Sequence, residues 1–90
     1  MSEISPYILD AIRREMTRAE EIHPNYPMDP LRQTALMCEE AGEALKEAIN
    51  LTRPRAHNQK RSRQKLRREV IQTAVMAIRM LITMDYEEDV

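Results

Sequence analysis

The chain holds a single glycine, Gly42, among its 90 residues. Tight hairpins draw on glycine for their positive backbone angles, so a sheet built from hairpins has almost nothing to turn on. Phe and Trp are absent, and the apolar content is Ala, Leu, Ile and Val with seven Met. Ala, Leu and Met favour helix and outnumber the strand-leaning Ile and Val, which makes all-α the expected class. The length suits one domain, residues 1–90. A domain of this size buries only about 60% of the surface its unfolded chain exposes, so help from a partner subunit is expected.

Two Pro-led starts divide the chain into helices. Ser5-Pro6 is an N-cap followed by Pro in the first turn, and Pro24 forces this first helix to stop near His23. Ile8, Ile12, Ala19 and Ile22 are its expected buried stripe. His23-Pro24-Asn25-Tyr26-Pro27-Met28 is too rich in proline to continue a helix. Asp29-Pro30 then repeats the cap, and a second helix runs to about Leu51. Leu31, Ala35, Cys38, Ala41, Leu45, Ala48 and Ile49 cluster on one side of it and read as its buried side, with Cys38 a small buried residue. Glu40, Glu43 and Glu47 line the other side. The small residues Ala41, Gly42, Ala44 and Ala48 would allow a neighbouring helix to approach closely.

The third helix is expected from about Ser62 or Gln64 to Asp85. Leu66, Val70, Ala77, Leu81 and Met84 form one apolar stripe, and Ile71, Val75, Ile78 and Ile82 form a second. Two other short helices can hardly cover both, so a homodimer or homotetramer is expected. One polar line, Glu69, Gln72, Arg79 and Thr83, runs between the stripes, interrupted by Met76.

Net charge is only −1, but its distribution is uneven. From Arg53 to Arg68 there are eight Lys or Arg and no acid, which leaves six bases against fifteen acids, or −9, elsewhere. With Pro54 among them, residues 52–64 read as a mobile basic loop. No apolar run reaches the roughly 20 residues that span a bilayer, and the N-terminus lacks the basic and apolar regions of a secretory signal. Cys38, the lone cysteine, has no internal partner. A cytoplasmic protein without membrane contact is expected.

Oxygen-bearing side chains concentrate in two places, Cys38-Glu39-Glu40-Ala41-Gly42-Glu43 and Glu69-Val70-Ile71-Gln72. Residues three apart on a helix point the same way, so Glu40 with Glu43 and Glu69 with Gln72 are paired donors. On antiparallel helices the pairs could face each other and make an oxygen-only site suited to Mg²⁺ or Mn²⁺. The bland alternative is a solvated acidic face. Glu69 resists it, since a charge on a helix with little other polar surface needs a partner such as a metal, Lys65 or a loop base.

The pattern Glu-Glu-x-x-Glu followed by Glu-x-x-(Asp) resembles the all-α NTP pyrophosphatase superfamily, specifically its short MazG-like members, over roughly residues 20–85. The run Gln72-Thr73-Ala74-Val75-Met76-Ala77-Ile78-Arg79 and the segment from His23 to Asp29-Pro30 are similar to it as well. The resemblance implies a helical bundle of three main helices completed by oligomerisation, and hydrolysis of a (d)NTP to a monophosphate and pyrophosphate. It implies Glu40, Glu43 and Glu69 as Mg²⁺ ligands, Gln72 as a ligand or a holder of metal-bound water, and Glu39 as the residue that orients the attacking water. The chain departs from the pattern at Gln72, where the family has Asp, which removes one negative charge and weakens metal affinity. A non-catalytic module that keeps the fold and binds nucleotide or protein is the alternative this departure raises.

Further residues could contact substrate. Arg61 and its basic neighbours could fold over a triphosphate as a lid, or be no more than a solvated loop. His23 and Tyr26 could meet a base, and Lys46 and Arg79 a phosphate. Lys46 could equally pair with Glu43, and Arg79 could be a surface arginine. Nucleic acid is disfavoured as a partner, since no aromatic residue interleaves the basic charges and the rest of the chain is acidic. With one glycine there is no Gly-rich phosphate loop, which excludes P-loop and Rossmann nucleotide binding.

Overall fold

The computed structural model describes residues 3–53 and 59–88, and three α-helices account for most of them: α1 Pro6–Ile22, α2 Pro30–Leu51 and α3 Gln59–Glu88. There is no strand among the described residues. Both Pro-led starts cap as expected. Ser5 Oγ accepts from the Tyr7 amide at 3.2 Å, and Asp29 Oδ1 accepts from the Leu31 amide at 3.1 Å. Helix α1 closes at His23, whose amide donates to the Ala19 carbonyl at 2.8 Å. Helix α2 closes at Thr52, whose amide and hydroxyl both donate to the Ile49 carbonyl.

Helix α3 starts earlier than expected. The stretch Gln59–Gln64, read from its charge as part of a mobile loop, is already helical. Lys, Arg and Gln have high helix propensity, and the breaker, Pro54, lies upstream of that segment. The part of the expected loop at residues 54–58 lies outside the described residues. At its other end α3 runs to Glu88, three residues past the expected Asp85.

Three side-chain meetings show that α2 and α3 run antiparallel. Thr34 Oγ lies 3.7 Å from Met80 Sδ, Glu40 meets Gln72, and Glu47 pairs with Lys65 at 3.4 Å. As numbers rise along α2 they fall along α3. Helix α1 packs on α3 as well, so α3 is the central element. The Pro-rich connector is tied to α3 through Tyr26, whose hydroxyl donates to the Met76 carbonyl at 3.4 Å.

The side of α2 expected to be buried is not the side that packs. Leu31 is 77% exposed, Leu45 62% and Ile49 48%, and Ala35, Cys38 and Ala41 are exposed too. The inward line of α2 is Gln33, Met37, Glu40, Ala44 and Glu47, none of them exposed and spaced alternately by four and three residues as for a packed helical seam, and Thr34, Glu40 and Glu47 meet side chains of α3. Gln33 is fully buried and Glu47 nearly so. Glu47 is held by Lys65, while Gln33 Nε2 donates to the Pro27 carbonyl at 2.7 Å. Each of these polar side chains makes at least one bond there, although Gln33 Oε1 is buried without a hydrogen-bond partner among the described residues.

Fully buried apolar residues are correspondingly few among those described: Ala19 on α1 and Val75 on α3. Of the expected α1 stripe, Ile8 and Ile22 are exposed and Ile12 is half-buried. On α3, Val70, Leu81, Ile82 and Met84 face outward. A methyl group added at Gly42 would meet nothing within 4 Å and Ala41 is exposed, while Ala44 and Ala48 are half-buried.

Candidate functional site

The antiparallel pairing brings the two oxygen-bearing segments together. With its amide nitrogen turned toward the carboxylates, Gln72 donates to Glu40 Oε2 at 3.0 Å and to Glu69 Oε2 at 3.1 Å, and its oxygen accepts from Arg18 Nη2 at 3.2 Å. The opposite amide orientation would set oxygen against oxygen, so hydrogen bonding decides the choice. Arg18 is oriented from behind, its Nε donating to both carboxylate oxygens of Glu15 at 3.0 and 3.1 Å. A continuous polar chain, Glu15, Arg18, Gln72, then Glu40 and Glu69, thus crosses all three helices.

This seam stores electrostatic tension. Partial burial pushes the Glu40 carboxyl above its ordinary pKa, and the charge of Glu69, a hydrogen bond with it, and the charges of Glu39 and Glu15 push the same way. Two carboxylates that share one region of low polarity resist simultaneous ionisation. A proton, an amide or a cation between them relieves that repulsion.

The remaining site candidates fall in different places. Glu39 is exposed beside Glu40 and adds to its field. Glu43 is exposed, and no three Asp, Glu, His or Cys side chains converge among the described residues, so Glu43 does not join Glu40 and Glu69. Glu69 does not pair with Lys65, which is taken by Glu47. Lys46 lies on the outward side of α2, in a shallow groove with Gly42, Leu45, Ile49, Asn50 and Arg53, and forms no ion pair with Glu43. Arg61 is exposed on the first turns of α3, eight residues and about 12 Å of helix before Glu69. The structure does not bring it over the seam.

His23, Tyr26 and Arg79 do come together, and they do so beside Glu40. A cleft of about 170 Å³ is walled by His23, Asn25, Tyr26, Pro27, Leu36, Glu40, Met76 and Arg79. Arg79 is neither on the surface nor reaching outward. It is 8% exposed, donates to the His23 carbonyl at 3.0 Å and lies 4.4 Å from the centre of the Tyr26 ring. A guanidinium so placed gains from the ring face and clamps the connector onto α3. Its Nη1 is buried with no hydrogen-bond partner among the described residues. Burial also raises the Tyr26 phenol pKa, against the opposing pull of Arg79.

Sequence reasoning missed Arg18 and Glu15 as members of the seam. Their spacing of three on α1 marks them as a pair, but nothing in the sequence says that α1 docks with this side against Gln72.

Comparison with known protein families, with curated proteins and with solved structures found no match to this chain.

Proposed function

We propose that the chain is a divalent-cation-dependent nucleoside triphosphate pyrophosphohydrolase of the MazG-like type, converting a (d)NTP and water to a (d)NMP and pyrophosphate. The observation that carries this reading is the meeting of Glu40, Glu69 and Gln72 across α2 and α3, the two segments from which the family resemblance was drawn.

The residues that meet are of the kind that would hold Mg²⁺, although only two of them, Glu40 and Glu69, are charged and no three acidic side chains converge among the described residues. The set is made only of oxygen donors once the Gln72 amide turns its oxygen inward, and the repulsion that raises the Glu40 pKa is the kind a divalent cation removes. Mn²⁺ would be held by the same oxygens. Glu40 and Glu69 would be the charged ligands, with Gln72 a neutral third, and Glu43 would have to reach in from the exposed side to make a fourth. When bound, the ion would neutralise triphosphate charge and make a nearby water more acidic. Glu39, next to Glu40 and solvent-facing, would be the residue that orients such a water. The adjoining cleft, with its Tyr26 ring, Met76 and Leu36 and its Asn25 amide, offers an apolar wall with a few polar groups for a nucleobase.

Assembly belongs to the same proposal. The outward Leu31, Leu45 and Ile49 of α2 and the outward Leu81 and Ile82 of α3 leave apolar surface that a homodimer or homotetramer would cover. Cytoplasmic location accords with an exposed lone thiol, Cys38, which a reducing compartment keeps free. Among the described residues no helix is long and apolar enough to cross a membrane.

The test is release of pyrophosphate from a panel of standard and modified (d)NTPs, with and without Mg²⁺. Release is expected only with the cation, and Glu40→Gln and Glu69→Gln should each abolish it without changing assembly. If a folded, assembled protein releases nothing from any nucleotide, the reading as a non-catalytic binding module replaces this one; the bonds already made by Gln72 to both carboxylates are what that module would use.

A further inference from the structure

Helix α3 carries the part of the basic stretch from Lys60 to Arg68 on one rigid element. Lys60, Arg63, Gln64 and Arg67 line one open groove on its first turns, and all four are exposed. None of the three cations forms an ion pair among the described residues. Lys65, on the opposite side of the helix, is the one drawn inward, to the buried Glu47. Arg63 and Arg67 lie two residues from Lys65 and Lys60 five, which puts all three about 140 to 160 degrees around the axis from it, so the Glu47 pair fixes the ridge outward. Like charges at three- and four-residue spacing repel along a helix, so the ridge is held in an arrangement that an external polyanion would stabilise.

From this ridge we infer a second binding activity, independent of the proposed hydrolysis: the first turns of α3 bind the phosphate backbone of duplex nucleic acid without sequence preference. Lys60 to Arg67 spans about 10 Å of helix axis, a length over which a DNA duplex presents on the order of six phosphates. The groove contains no apolar side chain to form the dry centre of a protein interface, and none to insert beneath lipid headgroups. The absence of an aromatic residue argues against base stacking on single strands, and leaves backbone contact to a duplex unaffected. The acidic remainder of the chain confines contact to this ridge rather than preventing it, because the two charge signs are segregated.

The probe is a fluorescently labelled mixed-sequence 20-base-pair DNA duplex, with the RNA duplex, a single strand and poly-glutamate as comparison arms, read by anisotropy from 50 to 200 mM salt. Binding should be at least tenfold weaker at the high end. Replacing Lys60, Arg63 and Arg67 together by Gln should weaken affinity at 50 mM salt at least tenfold and reduce the slope of log affinity against log salt by roughly 3. The same number of charges removed at the exposed Arg13, Arg14 and Arg32 should leave both close to wild type. Circular dichroism of both triple variants checks that helix content is retained. No duplex binding at 50 mM salt, equal losses in the two triple variants, tighter binding of the single strand, or competition by poly-glutamate as strong as by unlabelled duplex would each overturn the inference. Hydrolysis of (d)NTPs is not a readout here, so either activity can fail without the other. DNA and RNA duplexes share the backbone, and their arms tell which the ridge prefers.

Discussion

The inner and outer sides of α2 invert the usual arrangement of a surface helix. Its inner side carries Glu40 and Glu47 to partners on α3 and Gln33 to the Pro27 carbonyl of the connector, while its outer side carries Leu31, Leu45 and Ile49 into open space. A single chain gains little apolar burial from this orientation. What it gains is a seam in which carboxylates and an amide are held at hydrogen-bond distance. The contrast teaches that amphipathicity reports which side of a helix must be covered, and not which molecule covers it.

The largest expected effect breaks the outer side. If the proposed assembly forms through this side, Leu45→Asp puts a charge in its apolar surface and should abolish it, costing roughly 3 kcal/mol or more per subunit interface. Sedimentation should show a single-chain mass at concentrations where the wild type is assembled; an unchanged mass would mean that this side is solvated in solution. Next, Arg79→Ala removes the clamp between connector and α3. Loss of one charge-assisted hydrogen bond and one ring contact should lower stability by roughly 2 to 3 kcal/mol in chemical denaturation, and Arg79→Lys should recover only part of it.

Gln72→Asp sharpens the inner side. With chelator present it replaces a donor amide by a third carboxylate, so stability should fall by about 1 to 2 kcal/mol. With Mg²⁺ present that loss should vanish, and the Tm difference between Mg²⁺ and chelator should exceed that of the wild type. Equal Tm values in both conditions would place residue 72 outside any cation's reach.

The smallest effect concerns pH. Because the folded-state pKa of Glu40 is raised above its unfolded value, folding favours its protonated form. Its charge is therefore a cost fully present above the raised folded pKa, and relieved as pH falls toward the ordinary carboxylate value near about 4.3. Glu40→Gln removes this cost. Its Tm should exceed that of the wild type by a few degrees at most at pH 7, and the difference should shrink on acidification; a difference that grows as pH falls would refute the assigned cause.

Much of the candidate site was legible from spacing. Glu40 and Glu69 with Gln72 meet as their positions on consecutive antiparallel helices predict, and His23, Tyr26 and Arg79 share a cleft. Glu43 did not follow, because three residues along a helix is 60 degrees short of a full turn, enough to carry it from the seam to solvent. The engagement of Arg18 and the buried pairing of Glu47 with Lys65 were not legible, since both depend on how helices rotate against each other. The early start of α3 was present in the helix propensity of Gln59–Gln64 but was masked by weighing charge over propensity.

Amino-acid order alone determined that the chain is helical, where α1 and α2 begin, where Pro24 ends the first of them, and that more apolar surface exists than three short helices can hide. Local backbone preference and side-chain period settle these matters, and both act over a few residues. Tertiary structure alone decided which side of α2 turns inward and which side of α3 carries its basic residues outward. Rotation about a helix axis exchanges one set of contacts for another without disturbing a single backbone hydrogen bond, so only the partners reached across the molecule can select among the possible faces.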